Sequence, residues 1–171
     1  MILVADCSAL VALSVCGRLN LLEQLFASIV VPETVYFEAT RPDKKQAQAL
    51  KTFLQGKVRQ VNMQTYVFLD AYADAGETEA MLLYKQLAAD KLLIDDKRGR
   101  KVAKINQIST IGSLGVLLVA KEKGLIVEVA PLLQQIEQSD IYLSPDLIAT
   151  VLELAGESRR YKQCSQSIIN T

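Results

Sequence analysis

Residues 92–100 combine a short apolar run, two adjacent carboxylates and a cluster of positive charges. The run Leu-Leu-Ile is typical of a strand buried on both faces of a parallel sheet. Asp95 and Asp96 follow where that strand should end. In open parallel sheets, ligands bind outside the carboxyl ends of the strands. The stretch therefore predicts an α/β fold with acidic chemistry at one edge of its sheet.

Apolar runs alternate with helical patterns along most of the chain. Asp74 and Glu77 have the spacing of a capping box, which opens a helix predicted to run to Ala89. Another helix is predicted for residues 66–72. Candidate strands are residues 2–5, 29–31, 92–94 and 108–111. Strands and helices that alternate in this way predict a mainly parallel sheet with right-handed crossovers.

Histidine is absent from the chain. Ser-His and Cys-His nucleophile pairs and His-ligated zinc sites are therefore excluded. Cys7, Cys16 and Cys164 lack the spacing of metal ligands and are expected to be reduced thiols of a cytoplasmic protein. Hydrolytic chemistry would have to rest on carboxylates, hydroxyls, Lys or Arg, and a bound metal.

The length of 171 residues suits one domain, and the net charge is zero. We expect the domain over residues 1–156, followed by a polar tail over 157–171. Neutrality argues against a surface built entirely for nucleic acid, although a local basic patch is compatible with it. The apolar opening lacks the basic region of a signal peptide, and no segment is long enough to span a membrane.

Each candidate carboxylate has a structural explanation when it is considered alone. Asp6 ends the first strand and could simply cap the next helix. Glu77 is explained by the capping box, and Glu38 falls on the last turn of a short helix. Glu77 and Glu79 are two positions apart on a helix, so they cannot both converge on one point.

Considered together, these acids indicate a metal site. If the strands are neighbours, acids at strand ends and helix termini lie at one edge of the sheet. Carboxylates that crowd together repel one another, and a hard divalent cation relieves this repulsion. Because side chains alternate along an extended segment, at most one of Asp95 and Asp96 is expected to face the site.

The order of these motifs resembles that of PIN-domain ribonucleases. Residues 2–10 are similar to their opening strand, which ends in Asp, and residues 31–38 to their second motif, which ends in Glu. Residues 76–80, 92–100 and 111–117 look like later motifs of a prokaryotic subgroup related to VapC-type toxins. The similarity extends from Ile2 to about Leu152.

The resemblance implies a three-layer α/β/α fold and an acidic site. By position it assigns catalytic roles to Asp6, Glu38, Glu77 and Asp96. It assigns metal ligation to Asp6, Glu38, Asp96 and the neighbouring Asp95, and a contact to substrate or metal-bound water to Ser8. It further implies Mg²⁺ or Mn²⁺, single-stranded RNA as substrate, a homodimer and an antitoxin partner. Glu77 stands where the family commonly has Asp, and Asp95 where it commonly has a neutral polar residue.

The basic residues that follow the acidic pair have two interpretations. Lys97, Arg98 and Arg100 could form a solvated helix face, which is the usual role of a charge run. They could also bind phosphates, because an anionic strand approaching carboxylates needs cations to offset repulsion.

Two other functions remain open from the residues. A PIN-like protein could have lost catalysis and act as an RNA-binding or partner-binding regulatory module. A phosphoacceptor receiver domain also gathers acids at strand ends, but it expects an acidic pair after the first strand. Here Cys7 follows Asp6, which argues against a receiver.

Overall fold

The structure is a computed structural model that describes residues 1–64 and 74–158. The contacts along the chain divide it into two compact units, Met1–Ser113 and Leu114–Thr171. The first unit contains the sheet and every candidate site residue.

The first unit is built around a five-stranded sheet in which each pair of neighbouring strands is parallel. The order across the sheet is β3-β2-β1-β4-β5. The strands are β1 (Ile2–Ala5), β2 (Ser28–Pro32), β3 (Val58–Arg59), β4 (Lys91–Leu93) and β5 (Thr110–Ile111). The α/β class and the parallel sheet predicted from the sequence are confirmed.

The strand order places the ends of β1 and β4 next to each other. The chain passes from β1 outward to β3 and then returns to the other side of β1. Ala5 pairs with Leu93, and the N–H of Asp6 donates to the carbonyl of Leu93 at 2.9 Å. This is the point at which the strand order reverses, where ligands of open parallel sheets bind.

The strands are short, and they are apolar because helices cover the sheet. Leu3, Val4, Leu92 and Ile94 are fully buried. The described helices of this unit are α1 (Cys7–Val15), α2 (Asn20–Leu25), α3 (Glu33–Ala39), α4 (Ala47–Phe53), α5 (Ala75–Gln86) and α6 (Lys97–Ile105). Burial of the apolar runs on the sheet supplies most of the driving force for the fold.

The second unit is helical in the part that the structure describes. Its helices are α7 (Ser113–Glu122), which starts at the last residue of the first unit, α8 (Ala130–Glu137) and α9 (Pro145–Leu154). Ser144 caps α9, and its hydroxyl accepts a hydrogen bond from the N–H of Leu147. Gly124 has a φ of 71°, a left-handed conformation that suits a glycine just after the end of α7.

Glu157 holds the end of the described chain against the rest of the second unit. Its carboxylate accepts hydrogen bonds from the N–H groups of Val129 and Ala130 at 2.8 Å each, and it forms an ion pair with Lys121. Only 4% of Glu157 is exposed. It therefore occupies the positive N-terminal end of α8, where backbone N–H groups lack partners within the helix.

Most element boundaries agree with the sequence patterns to within a few residues. The helix predicted for residues 66–72 lies outside the described residues. The division into a domain over 1–156 and a tail over 157–171 stays a prediction, although Glu157 itself is buried and hydrogen-bonded. None of the helices within the described ranges has the length and apolar character needed to cross a bilayer.

Replacing Glu157 with Gln should destabilise the protein in a pH-dependent way. Burial alone would raise the pKa of Glu157, but the hydrogen bonds from Lys121, Val129 and Ala130 lower it below its ordinary value of 4.5. A carboxylate with a lowered pKa stabilises the fold above its unfolded-state pKa, and this contribution is lost as pH falls through the folded pKa. We expect Glu157→Gln to reduce the free energy of unfolding by about 1–3 kcal/mol at pH 7.

Urea unfolding at pH 7 and pH 3 measures this effect. The loss should be smaller at the lower pH, because the wild-type carboxylate becomes protonated as the pH falls through its lowered folded pKa. Glu153→Gln, which changes an exposed glutamate on α9, is the matched control and should have little effect at either pH. An equal loss at both pH values would contradict the assigned charge of Glu157.

Candidate active site

Asp6 is positioned by the end of β1 and the start of α1. It is the N-cap of α1, and its carboxylate accepts hydrogen bonds from the N–H of Ser8 at 3.2 Å and the hydroxyl of Ser8 at 2.7 Å. The Ser8 hydroxyl also lies 3.4 Å from the N–H of Asp95. Ser8 therefore bridges the ends of β1 and β4 and restricts the orientation of the Asp6 carboxylate.

Glu77 reaches the same edge of the sheet from the first turn of α5. Its N–H donates to the Asp74 carboxylate at 2.8 Å, and its own carboxylate accepts from the N–H of Asp74 at 3.2 Å. The predicted capping box is therefore confirmed. The Glu77 side chain is buried, with 5% of the residue exposed. Glu79 instead lines a cleft with Glu33 and other residues.

A glycine makes room for the Glu77 carboxylate on α6. A Cβ atom on Gly99 would lie only 2.5 Å from Glu77 Oε1 and 2.5 Å from Ile94 Cδ1. Side-chain atoms do not approach this closely, so the packing of Glu77 against α6 requires glycine at this position. The Gly in the Lys-Arg-Gly-Arg sequence thus has a steric role that its neighbours in the sequence do not reveal.

Asp96 is the N-cap of α6 and lies at the exposed margin of this cluster. Its carboxylate accepts hydrogen bonds from the N–H groups of Arg98 and Gly99, each at 2.8 Å. Burial is the main cause of the raised pKa of Glu77, and the negative charge of Asp96 adds to it, so the two carboxylates interact. The cap interaction holds Asp96 at the positive end of a helix dipole.

Asp95 turns toward β5 and the start of α7. Its carboxylate accepts hydrogen bonds from the N–H of Ser113 at 2.8 Å and from the Ser113 hydroxyl at 2.6 Å. A Cβ on Gly112 would lie 2.8 Å from Asp95 Oδ1 and 3.4 Å from an Arg100 terminal nitrogen. Asp95 and Asp96 therefore point to different partners, and metal ligation by Asp95 stays a prediction.

Glu38 approaches the cluster from the last turn of α3. A Cβ on Gly76 would lie 3.5 Å from Glu38 Oε2 and 3.5 Å from Asp74 Oδ1, so both carboxylates lie close to this glycine. The other oxygen of Glu38 accepts a hydrogen bond from Lys44 Nζ at 3.3 Å. The side chain of Glu38 is 43% exposed, which leaves it accessible to a ligand.

Burial and neighbouring negative charges disfavour the charged forms of the carboxylates at this edge. Burial raises the pKa of Asp6, the hydrogen bonds from Ser8 oppose the rise, and Asp74 adds to it. Burial also raises the pKa of Glu77 to about 7, with further increases from Asp74, Asp6 and Asp96. These shifts show that carboxylates from β1, α5 and the β4–α6 connection act on one another electrostatically.

The donor chemistry of the cluster suits a hard divalent cation. The candidate ligands are carboxylate oxygens, which Mg²⁺ and Mn²⁺ prefer, and their mutual repulsion would be relieved by a cation. Across residues 1–64 and 74–158, however, no three acidic or cysteine side chains are already arranged as a metal-ligand set. The donors fit such an ion chemically, while a complete ligand sphere is not formed in this part of the chain.

The basic residues after Asp96 lie on the first turns of α6. Lys97, Arg98 and Arg100 are exposed, whereas Gly99 between them is buried. The Arg100 guanidinium lies near Gly112. Their position beside the acidic edge is compatible with both interpretations of the charge run, and phosphate binding by them stays a prediction.

Sequence reasoning missed several residues that shape this site. Asp74 was interpreted only as a helix cap, although its charge acts on both Asp6 and Glu77. The sequence patterns assign no role to Lys44 or to Ser113. Asp74 could have been found from the capping box, because the box brings its carboxylate to the helix end that also presents Glu77.

The comparison with known families agrees with this geometry. The family model DUF3368, described as a PIN domain, matches residues 2–157. The chain belongs to the PIN domain family. Proteins of this family are generally nucleases, which is consistent with acidic residues gathered at the carboxyl ends of parallel strands. A search of curated proteins finds no match to the chain.

The raised pKa of Glu77 in this PIN domain should make its stability depend on pH. A carboxyl group whose folded pKa is raised favours the protonated fold, so its contribution is lost as pH rises through the folded pKa of about 7. In a metal-free buffer, the melting temperature of the wild type should therefore fall between pH 5 and pH 8.5. Glu77→Gln, which is neutral throughout, should show a smaller fall.

Thermal melts in EDTA provide the measurement. Glu79→Gln is the matched control, because Glu79 lies two residues away on the same helix but is more exposed than Glu77. This control should retain the wild-type pH dependence. If Glu77→Gln and Glu79→Gln gave the same profile as the wild type, the assigned titration of Glu77 would be wrong.

Proposed function

We propose that this PIN domain is a metal-dependent endoribonuclease that hydrolyses phosphodiester bonds in single-stranded RNA. The observation that carries the proposal is the burial of the Glu77 carboxylate at the edge where β1 and β4 end, which disfavours its charge, with further repulsion from Asp74, Asp6 and Asp96. Burial of mutually repelling acids lowers the stability of a protein, so such a cluster is unusual where the acids have no function. A divalent cation bound among these carboxylates would relieve their repulsion.

In the proposed site, four acids have different roles. Asp6, Glu38 and Asp96 would hold Mg²⁺ or Mn²⁺, and Glu77 would complete the acidic site. When bound, such an ion lowers the pKa of water and offsets negative charge on a phosphodiester during in-line attack. Ser8 positions Asp6 through the hydrogen bond of 2.7 Å from its hydroxyl. Asp95, bonded to Ser113, would support the adjoining backbone and stand close to the ion.

RNA would approach across the exposed start of α6. Lys97, Arg98 and Arg100 are exposed there, directly after the acidic pair. Their positive charges would offset the repulsion between the phosphate backbone and the carboxylates. A local basic rim of this kind is compatible with a net charge of zero for the whole chain.

The biological role that we propose is that of a VapC-type toxin in a toxin-antitoxin pair. The motif order that resembles this prokaryotic subgroup supports it. The proposal includes a homodimer, a cognate antitoxin protein that blocks the acidic edge, and a cytoplasmic location, where the RNA and the antitoxin would be present. Joint expression with a neighbouring small gene would test this role separately from the chemistry.

A second candidate function is a PIN-like regulatory module that binds RNA or a protein partner without cutting RNA. The observation that favours it is the absence, within the two described ranges, of three acids already arranged as metal ligands. Glu77 also uses its carboxylate in the capping box with Asp74. Binding of RNA without cleavage in either Mg²⁺ or Mn²⁺ would support this alternative.

Substitution of the strand-end acids tests the nuclease proposal. Asp6→Asn and Asp96→Asn keep the size and the hydrogen-bond acceptor of each side chain but remove its charge. We expect each change to reduce the rate of RNA cleavage at least about 100-fold, because it weakens the electrostatic stabilisation of the reacting phosphate. Cleavage of a labelled single-stranded RNA with Mn²⁺ measures the loss, and growth arrest on expression in bacteria should disappear in parallel.

Asp146→Asn is the control, because Asp146 is an exposed acid in the first turn of α9 in the second unit. It should cleave RNA at the wild-type rate. Undiminished cleavage by both Asp6→Asn and Asp96→Asn would show that the assigned site is wrong.

A further inference from the structure

The turn between α3 and α4 directs one lysine toward the acidic edge. Within residues 41–47, the Arg41 guanidinium forms two hydrogen bonds with the Asp43 carboxylate, at 3.1 and 3.0 Å. The N–H of Lys44 donates to the carbonyl of Arg41, and the N–H of Ala47 donates to the carbonyl of Lys44. Arg41 and Asp43 thus pair with each other at the surface. Hydrogen bonds from the N–H and to the carbonyl of Lys44 fix the backbone of the turn at this residue.

The ammonium group of Lys44 contacts two residues of the site. Lys44 Nζ donates hydrogen bonds to Glu38 Oε1 at 3.3 Å and to Cys7 Sγ at 3.6 Å. Cys7 directly follows Asp6 and is 4% exposed. The lysine side chain is 29% exposed, so it lies partly within the protein rather than in open solvent. A sulfur atom and a carboxylate of the acidic edge therefore share one cation.

The position of Lys44 resembles that of a counter-ion. Glu38 presents one oxygen to Lys44, and its other oxygen lies close to Gly76. Burial raises the pKa of the Cys7 thiol to about 12, Glu38 adds to the rise and Lys44 opposes it, so these charges act on one another. The ammonium offsets part of the negative charge that a divalent ion would otherwise neutralise.

We propose that Lys44 is a resident counter-ion of the acidic site that competes with the divalent metal for the Glu38 carboxylate. The inference rests on the proposed metal-dependent function and concerns the regulation of the same site. Without metal, Lys44 stabilises the acidic edge through its contact with Glu38. When a divalent ion binds, Glu38 must release the ammonium or hold both cations, and repulsion between the cations weakens metal binding.

This arrangement makes metal loading easily reversible. The lysine side chain is flexible, and its partial exposure allows the ammonium to move into solvent when the ion arrives. The competition is electrostatic, so added salt should reduce it. Lys44 is a positioning residue for Glu38 and is not assigned a contact with the scissile phosphate.

Isothermal titration of the full chain with MnCl2 tests the competition directly. Removing the lysine charge in Lys44→Gln should lower the apparent Kd for Mn²⁺ about threefold to tenfold at low ionic strength, as expected for relief of repulsion near a protein surface. The gain should decrease in 0.5 M salt. Lys44→Arg, which retains the positive charge, should bind Mn²⁺ within about twofold of the wild type.

A second lysine of the same unit supplies a matched control. Lys57 forms a comparable ion pair with Glu23 at 2.9 Å, and its side chain is 21% exposed. The Lys57 ammonium packs over the Phe53 ring, 4.7 Å from its centroid. Lys57→Gln therefore removes a similar ion pair without touching the acidic site, and its Kd for Mn²⁺ should equal that of the wild type. Melting temperatures in EDTA identify any variant that fails to fold.

The outcomes separate this inference from the proposed function. If the wild type binds Mn²⁺, Asp6→Asn abolishes binding and Lys44→Gln leaves the Kd unchanged or weaker, the counter-ion role is wrong and the metal site stands. Equal tightening by Lys57→Gln would also overturn the role. Binding by Lys44→Gln where the wild type shows none would support the competition strongly. If neither protein binds Mn²⁺, both the inference and the metal-dependent function fail.

Discussion

The burial of like-charged carboxylates at one edge of the sheet is the constraint on which the candidate site depends. Asp6 and Glu77 are almost fully buried, and burial disfavours the charge of each. The fold tolerates this because backbone N–H groups and hydroxyls donate to the acids, as Ser8 does to Asp6. What remains uncompensated is their repulsion, and a cation is the ordinary remedy for that repulsion.

The same constraint explains the local architecture around the site. Gly99 is needed because the Glu77 carboxylate packs directly on α6, and the carboxylates of Glu38 and Asp74 both lie close to Gly76. The acids at helix starts, Asp6, Asp74 and Asp96, serve as caps, so they stabilise the helices that carry the site. Structural roles and the proposed functional roles are therefore combined in single residues. This is why each acid, considered alone, had a sufficient structural explanation.

Local patterns predicted the fold and the acidic edge well. Short apolar runs that end in Asp identified β1 and β4, and the spacing of Asp74 and Glu77 identified the capping box. What escaped prediction depends on contacts between distant residues. Asp95 accepts a hydrogen bond from Ser113, which is 18 positions away in the sequence. Lys44 donates a hydrogen bond to Cys7, which is 37 positions away. The sequence pattern around Glu157 is that of a polar tail, because the contacts that bury this residue come from Lys121 and Val129, which are far from it along the chain.

We propose that a divalent metal ion binds between the acids at the ends of β1 and β4. A crystal structure of the wild type grown with Mn²⁺, with anomalous diffraction measured at the manganese edge, would show whether an ion binds there. We expect an anomalous peak at about 2.0–2.3 Å from carboxylate oxygens of Asp6 and Asp96. Well-ordered acidic side chains with no peak between them, in crystals with Mn²⁺ in excess, would contradict it.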